Sequence, residues 1–498
     1  MKARIKKNIP LRFRTLLRKL YDNSVRQKQR IYIKVLSLWW RFSGVTSRHL
    51  VISGCSRSGS TLLYSMLRHS VGASVCMPAR ELPALQTQTL KCSKIITKRP
   101  LDIFELEAID ETIGKFRDVL HLILLRDPRD LVSSRHEYVS NQYFQGYDYQ
   151  FLIRDGFKSF TGPGLGAIAE AVRKVKNDNR RIYTMRYEEL VCDPERARQV
   201  IGFATGFELR NSFSTFHESK IPQDLVDALN GVRPVEAPKK PAWTESGRYE
   251  RVLRQISTFP ELESLALEWG YPALQDVQAN YSLPKTLPKA KQGIIVAFHT
   301  DDDFYKAEAK RCRKRLDILG LPYEMIAIAK SKDWVANCAM KSKVLLDFRR
   351  KLRGPLLYID VDAFVHENPW PYLADYDGDL ATYVQSDGEL LSGTILINDT
   401  QAAKSLLEEW YQLQKGEPQT WDQRVLQHIV ENDENFTKRY NFQRLSSNFC
   451  HISDRVSGCT YGNPIIEHLQ ASRVLKRGGR GAAMERRIQV LERGNELE

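Results

Sequence analysis

Short apolar runs that alternate with stretches of helical periodicity set the strongest constraint on what this chain can fold into. His49–Ser53, Val119–Leu125 and Arg181–Met185 read as strands, and helical runs such as Thr61–Arg68 fall between them. Strands this apolar must be covered on both faces, and a helix between successive strands makes them parallel. After residue 293 the pattern restarts with Gly293–Phe298, Tyr323–Ala329, Leu356–Asp360, Leu380–Val384 and Thr394–Ile397, with Ala402–Leu413 as one of the helical runs. The expected fold class is therefore α/β, in two α/β domains. At 498 residues the chain is long enough for both.

The apolar periodicity lapses in YPALQDVQANYSLPKTLPKAKQ, which marks a linker. The expected organisation is an arm at 1–45, a first domain at 46–272, a linker at 273–292, a second domain at 293–476 and a loosely ordered tail rich in Gly and Arg at 477–498.

The net charge of +15 raises the question of a nucleic-acid partner. Residues 1–48 hold six Lys and eight Arg against Asp22 alone, so +13 of the charge belongs to the N-terminal arm and +2 to everything else. No nucleic acid is expected as a partner of the body of the protein. Ile9, Phe13, Leu16, Leu17, Leu20 and Tyr21 recur at helical spacing among the basic residues of the arm. Such a helix suits either an anionic membrane surface or docking on the first domain. The run Ile31–Trp40 is interrupted by Lys34 and falls short of the roughly 20 residues of a membrane span. With no secretory signal pattern, the expected location is cytoplasmic, with peripheral membrane contact through the arm. The eight cysteines are scattered without close pairs, which suggests reduced thiols.

In VISGCSRSGSTLL a strand, a loop and a helix follow one another, and Gly54, Gly59, Ser60 and Thr61 have the spacing of a nucleotide phosphate loop. Backbone amides and the helix N-terminus would grip phosphate oxygens there. Ser60 stands where such loops usually carry Lys, and Arg57 is the fixed cation, so nucleoside triphosphate hydrolysis is disfavoured. Cys55 reads as a small residue filling the loop. Ser56 through Leu63 resemble the 5′-phosphosulfate loop of the sulfotransferase superfamily. LILLRDPRDLVSSRHEY places Arg126 and Ser134 at the spacing of that family's 3′-phosphate site, and RYEELVCDPE places Tyr187 at a cofactor-contacting position. The resemblance covers roughly residues 45–270. It implies a P-loop-like parallel-sheet fold and binding of 3′-phosphoadenosine 5′-phosphosulfate (PAPS) by Gly54, Ser56, Arg57, Ser58, Gly59, Ser60, Thr61, Arg126, Ser134 and Tyr187. It also implies Glu81 as the base, with His69 and His136 as alternatives, Arg57 and Lys98 acting on the sulfuryl group, and a late cofactor-covering loop near Lys240 and Trp243.

In GPLLYIDVDAFVHENP an apolar strand delivers Asp360 and Asp362 on one side of the backbone, and two carboxylates so close invite a divalent cation. The motif resembles the D-x-D of nucleotide-sugar glycosyltransferases of the GT-A fold. GIIVAFHTDDDF, AMKSKVLLDF, LLSGTILIN, TWDQRVL and IIEHLQASRVLK resemble further segments of that family in order. The resemblance implies a nucleotide-diphospho-sugar donor contacted by Thr300, Lys341 and Asp360, with Lys343 nearby. It further implies Mn or Mg on Asp360, Asp362 and His468, and the pair Asp422 and Gln423 opening a late helix. Asp387, Glu389 and Asp422 all remain candidates for an acidic group beside the sugar.

Together the resemblances imply a bifunctional enzyme, sulfotransferase and metal-dependent glycosyltransferase, acting on a saccharide or glycolipid acceptor during cell-surface polysaccharide or glycolipid assembly. One active head with the other as a binding module, or a non-enzymatic scaffold or nucleic-acid binder using the basic arm, are the alternatives.

Overall fold

The computed structural model describes residues 35, 47–90, 92–134, 146–153, 159–176, 180–229, 231–286, 292–331, 333–385, 388–433, 435–453 and 461–497. The N-terminal arm expected at 1–45 thus lies almost wholly outside the described residues. Two compact units form: one within Met1–Arg126 and Ile168–Lys239, the other within Asp127–Ala167 and Lys240–Glu498.

The first unit is built on a sheet of strands β1 (Arg48–Gly54), β2 (Val75–Cys76), β3 (Lys94–Lys98), β4 (Asp118–Leu125) and, after the hairpin of β5 (Tyr149–Ile153) and β6 (Ser159–Pro163) that belongs to the second unit, β7 (Ile182–Arg186). The order is β2-β3-β1-β4-β7, and each pairing is parallel. Period-two alternation decides what faces where. Leu50 and Ile52 of β1 join Leu120, Leu122 and Leu124 of β4 and Ile96 of β3 on one face, where they meet Leu63, Met66 and Leu67 of the helix Ser60–Ser70. Each of these side chains contributes roughly 2 kcal/mol on leaving water. The registers place His49, Val51, Thr97 and His121 on the other face, where His49 Nε2 and the Thr97 hydroxyl are bonded at 2.9 Å.

The second unit carries β8 (Ile294–Thr300), β9 (Tyr323–Ile328), β10 (Leu356–Ile359), β11 (Ala363–Val365), β12 (Leu380–Val384), β13 (Leu390–Ile397), β14 (Phe442–Arg444) and β15 (Ile466–His468). Its main sheet has the order β14-β12-β13-β10-β8-β9, parallel across β9, β8 and β10 and antiparallel from β10 to β13 and β13 to β12. Leu356 and Tyr358 of β10 pack beneath the helices Trp334–Lys351 and Gln401–Gly416, while Leu357 and Ile359 pack on the opposite side with Ala309, Cys312 and Leu316 of the helix Asp303–Ile318. The mixed α/β architecture anticipated from the alternating runs is therefore present, and among the described residues no helix is long and apolar enough to cross a membrane.

Two stretches differ from expectation. The linker at 273–292 contains the helix Leu274–Tyr281, with Val277 and Gln278 buried and Gln278 Nε2 donating to the Tyr249 hydroxyl at 2.8 Å. The tail at 477–498 contains the helix Ala482–Leu497. Met484, Ile488 and Leu491 fall at i, i+4 and i+7, so they form one apolar stripe that packs on Phe364 and Leu469. Gly- and Arg-rich composition hid that stripe.

Helix Ala482–Leu497 is also fixed through Glu467 of β15, whose fully buried carboxylate accepts from Arg487 at 2.8 Å and from His366 at 2.9 Å. Burial pushes this carboxyl up, but His366 and Arg487 outweigh it and hold its pKa down at about 2, against an ordinary 4.5. A carboxyl lowered on folding stabilises fully above its unfolded pKa, and the contribution is lost as pH falls through the folded value. Glu467 is therefore expected to supply roughly 3 kcal/mol at neutral pH that disappears between about pH 4.5 and 2. In thermal melts, Glu467→Gln should melt well below wild type at pH 7 and the gap should narrow towards pH 3. A gap that does not change with pH would remove the ionic account.

Candidate functional site

The centre of the second unit is where β10 ends. Asp360 N–H donates to the Gly393 carbonyl of β13 at 2.9 Å, which fixes the chain as it leaves the strand. Three residues later β11 begins and pairs antiparallel with β15, in a register that sets Ala363 opposite His468. Asp362 and His468, more than a hundred positions apart, thereby face each other, with His468 Nδ1 3.9 Å from Asp362 Oδ1. Ligand atoms of Asp360, Asp362 and His468 all lie within 4.8 Å of one another.

This donor set fits a small divalent cation. Two bonds of about 2.1 Å span at most about 4.2 Å, so the group closes on an ion with slight side-chain adjustment. Gly393 supports the same reading, because a Cβ there would lie 2.8 Å from His468 Cε1 and 3.3 Å from Asp360 Oδ2. A glycine inside a strand marks such a close approach. Burial and the neighbouring Asp362 raise the Asp360 carboxyl above the ordinary range, although Lys341 opposes the shift. At Asp362 burial acts upward too, but His468 and the Ala471 N–H, 2.6 Å from Oδ2, prevail and lower it. The Ala471 amide is presented by Gln470, whose φ of +55° is left-handed.

Lys341, nearly buried in the helix Trp334–Lys351, ties the wall together. Its ammonium lies 3.2 Å from Asp360 and 3.1 Å from Asp422, and it donates to the Ser392 carbonyl at 3.0 Å. Burial works against its charge, yet the two carboxylates raise its proton affinity. Asp422 accepts from the Ser392 hydroxyl at 2.7 Å, so it is held in a buried ion pair. These residues line a cavity of about 280 Å³ with Thr300, Tyr305, Trp334, Glu389, Trp421, Gln423 and Gln470. Thr300 donates to Asp302 at 2.6 Å, and Gln423 Nε2 donates to Glu389 at 3.0 Å. Lys343 is exposed and does not line the cavity, and Asp387 lies outside the described residues.

In the first unit the loop between β1 and helix Ser60–Ser70 turns on three left-handed residues, Gly54 (φ +123°), Arg57 (φ +67°) and Gly59 (φ +87°). A Cβ on Gly54 would strike the Leu124 carbonyl at 2.5 Å. Ser58 closes the loop by donating to the Cys55 carbonyl at 2.7 Å. Burial pushes the Cys55 thiol far up, as suits a filling residue. Arg126 donates to the Arg57 carbonyl at 3.2 Å and lies over the Tyr187 ring at 4.5 Å. Arg57, Gly59, Ser60, Thr61, Arg126 and Tyr187 line a cavity of about 390 Å³. Lys98, at the end of β3, donates to the Thr61 hydroxyl at 2.9 Å and pairs with Glu81 at 2.6 Å, so these three residues form one chain.

Ser134 ends the helix Pro128–Ser133 of the second unit. His136 lies outside the described residues, and His69 bonds the Thr215 hydroxyl at 3.2 Å. Trp243, expected near a cofactor-covering loop, is fully buried in the second unit, donating to Asp127 at 3.1 Å and lying under Arg129. The cavity of the first unit is lined instead by Arg233, Pro234, Val235 and Glu236, none of them singled out from sequence. Gly393, Tyr305, Trp334 and Gln470 were likewise not singled out from sequence, although the strand glycine was the signal that marked the first.

Residues 317–474 match the family model described as nucleotide-diphospho-sugar transferase. No curated protein sequence matches the chain. Similar solved structures include a glycosyltransferase involved in glycosylation of the major capsid of PBCV-1, at 14% identity and TM-score 0.30, covering 39% of this chain and 100% of that one. The galactosyltransferase LgtC, in complex with donor and acceptor sugar analogues, is 13% identical at TM-score 0.25, covering 35% and 86%. The sulfotransferase domain of the Synechococcus PCC 7002 olefin synthase is 14% identical at TM-score 0.31, covering 46% and 95%.

Proposed function

We propose that the chain is a bifunctional carbohydrate-modifying transferase, with a glycosyltransferase head on residues 293–476 and a sulfotransferase head on 46–272. The observation that carries the first half is the convergence of Asp360, Asp362 and His468 on one cavity within the segment matched by the nucleotide-diphospho-sugar transferase family. Mn or Mg held there would neutralise the diphosphate of the donor as the sugar departs. Lys341 adds a fixed positive charge at the same wall, and its ion pairs hold Asp360 in place. Glu389, which accepts from Gln423 Nε2 at 3.0 Å and from Gln385 Nε2 at 2.7 Å, lines the same cavity and faces the sugar in this reading.

The sulfotransferase half rests on the convergence of Arg57, Arg126 and Tyr187 around the loop and on the chain of Thr61, Lys98 and Glu81. Glu81 would take the proton of a saccharide hydroxyl as its oxygen attacks sulfur. PAPS, when bound, would supply the sulfuryl group, its bond from sulfur to the 5′-phosphate breaking and adenosine 3′,5′-bisphosphate leaving. Positive charge from Arg57 and Lys98 and the loop amides stabilise the charge that collects on the leaving phosphate. The acceptor of both heads is a saccharide or glycolipid.

A thermal-shift comparison of wild type, Arg57→Ala and Asp362→Ala tests this assignment against adenosine 3′,5′-bisphosphate and against nucleoside diphosphate with Mn. A ligand at 100 times its Kd stabilises by about 2.7 kcal/mol, a shift of several degrees. Each variant is expected to lose one response and keep the other. Loss of both responses in either variant would mean a single shared site.

A further inference from the structure

Thr394 lies on β13 next to Gly393, is fully buried and does not line the cavity. Its Oγ1 is 2.7 Å from the Phe449 carbonyl oxygen and 2.8 Å from His468 Nε2. A hydroxyl has one proton, and a carbonyl oxygen can only accept. The Phe449 contact therefore takes the Thr394 proton, and the oxygen that remains can only accept at His468. Nε2 must then carry its own hydrogen, so the ring can meet a cation only through Nδ1, on the side of Asp362, once the proton shared there has left.

We infer that Thr394 is a positioning residue that fixes the ring orientation and tautomer of His468, so that Nδ1 is committed to the cation site. This rests on the reading of Asp360, Asp362 and His468 as that site. Hydrogen-bond partners behind a metal-binding imidazole set both its orientation and its basicity, and losing one weakens metal affinity by about 10- to 100-fold. Thr394 is well suited to the task because β13 also supplies Gly393, so one strand shapes the front of the imidazole and holds its back.

The test measures binding of Mn alone, read as the loss of the free-ion electron paramagnetic resonance signal, on the full chain without substrate. Thr394→Val, which keeps shape and removes the oxygen, should weaken binding by about 10- to 100-fold, and Thr394→Ser, which restores the hydroxyl, should return it close to wild type. Equal affinity in wild type and Thr394→Val, or failure of Thr394→Ser to rescue, overturns the inference while the cation site stands. Wild type that binds no Mn, or Asp362→Ala that binds as wild type does, overturns the cation site itself. Nitrogen-15 spectra of His468 in the Mg-loaded wild type provide a check that needs no variant. The proton is expected on Nε2, and a proton on Nδ1 would contradict the assignment.

Discussion

With Mn on the proposed site of Asp360, Asp362 and His468, Asp362→Ala is expected to lower sugar transfer by about 10³-fold while leaving the fold intact, because a cation at a departing diphosphate would supply several kcal/mol of stabilisation. Asp362 is the carboxylate most committed to the site. One oxygen is fixed by the Ala471 N–H and the other faces His468 Nδ1, so the side chain cannot turn away to solvent. His468 brings a proton affinity that Cys450 and Asp362 raise well above that of an ordinary histidine against the opposing effect of burial. Steady-state assays of sugar transfer across Mn concentrations read the effect as a loss that added Mn does not restore. A variant that recovers full rate in excess Mn would show that Asp362 is not needed once the ion is bound.

Lys341→Met is expected to be the most destabilising substitution at the same wall, at about 3–5 kcal/mol, because it leaves the buried Asp422 carboxylate without its partner. Asp422 is almost fully enclosed and has Lys341 and the Ser392 hydroxyl as its close partners. Replacing the pair together, as Lys341→Met with Asp422→Leu, should recover much of the loss, since a buried ion pair exchanged for apolar groups is often close to neutral. Chemical denaturation of the single and double variants measures both quantities. A double variant no more stable than Lys341→Met would place the effect in packing, not in the unpaired carboxylate.

The longer apolar strands of both sheets were legible because strands apolar on two faces and helices apolar on one write different periods into the sequence, whereas the short or edge strands Val75–Cys76, Lys94–Lys98 and Phe442–Arg444 were not read. Asp360 and Asp362 were legible for the same reason, as polar residues ending an apolar strand. Their meeting with His468 depends on the pairing of β11 with β15, and the position of Gly393 depends on the antiparallel pairing that sets Thr394 opposite Ile359. Neither register is a local property, so Gly393 and Thr394 could be quoted within a motif without their tasks being apparent. Trp243 misled because an aromatic beside lysines reads the same whether it covers a ligand or fills a core. Only the buried partners Asp127 and Arg129 distinguish the two. The helix Ala482–Leu497 was obscured by arginines on the faces next to its apolar stripe, one of which, Arg487, reaches Glu467.

Carboxylates at the end of β10 and an imidazole from β15 are proposed to hold one cation at a nucleotide-sugar site. Crystals soaked in Mn and a nucleoside diphosphate, with data collected at a wavelength where Mn scatters anomalously, should show one strong anomalous peak within bonding distance of both Asp362 and His468 Nδ1, with the diphosphate against it. A peak elsewhere, or nucleotide bound in that cavity with no peak between those two side chains, would rule that site out.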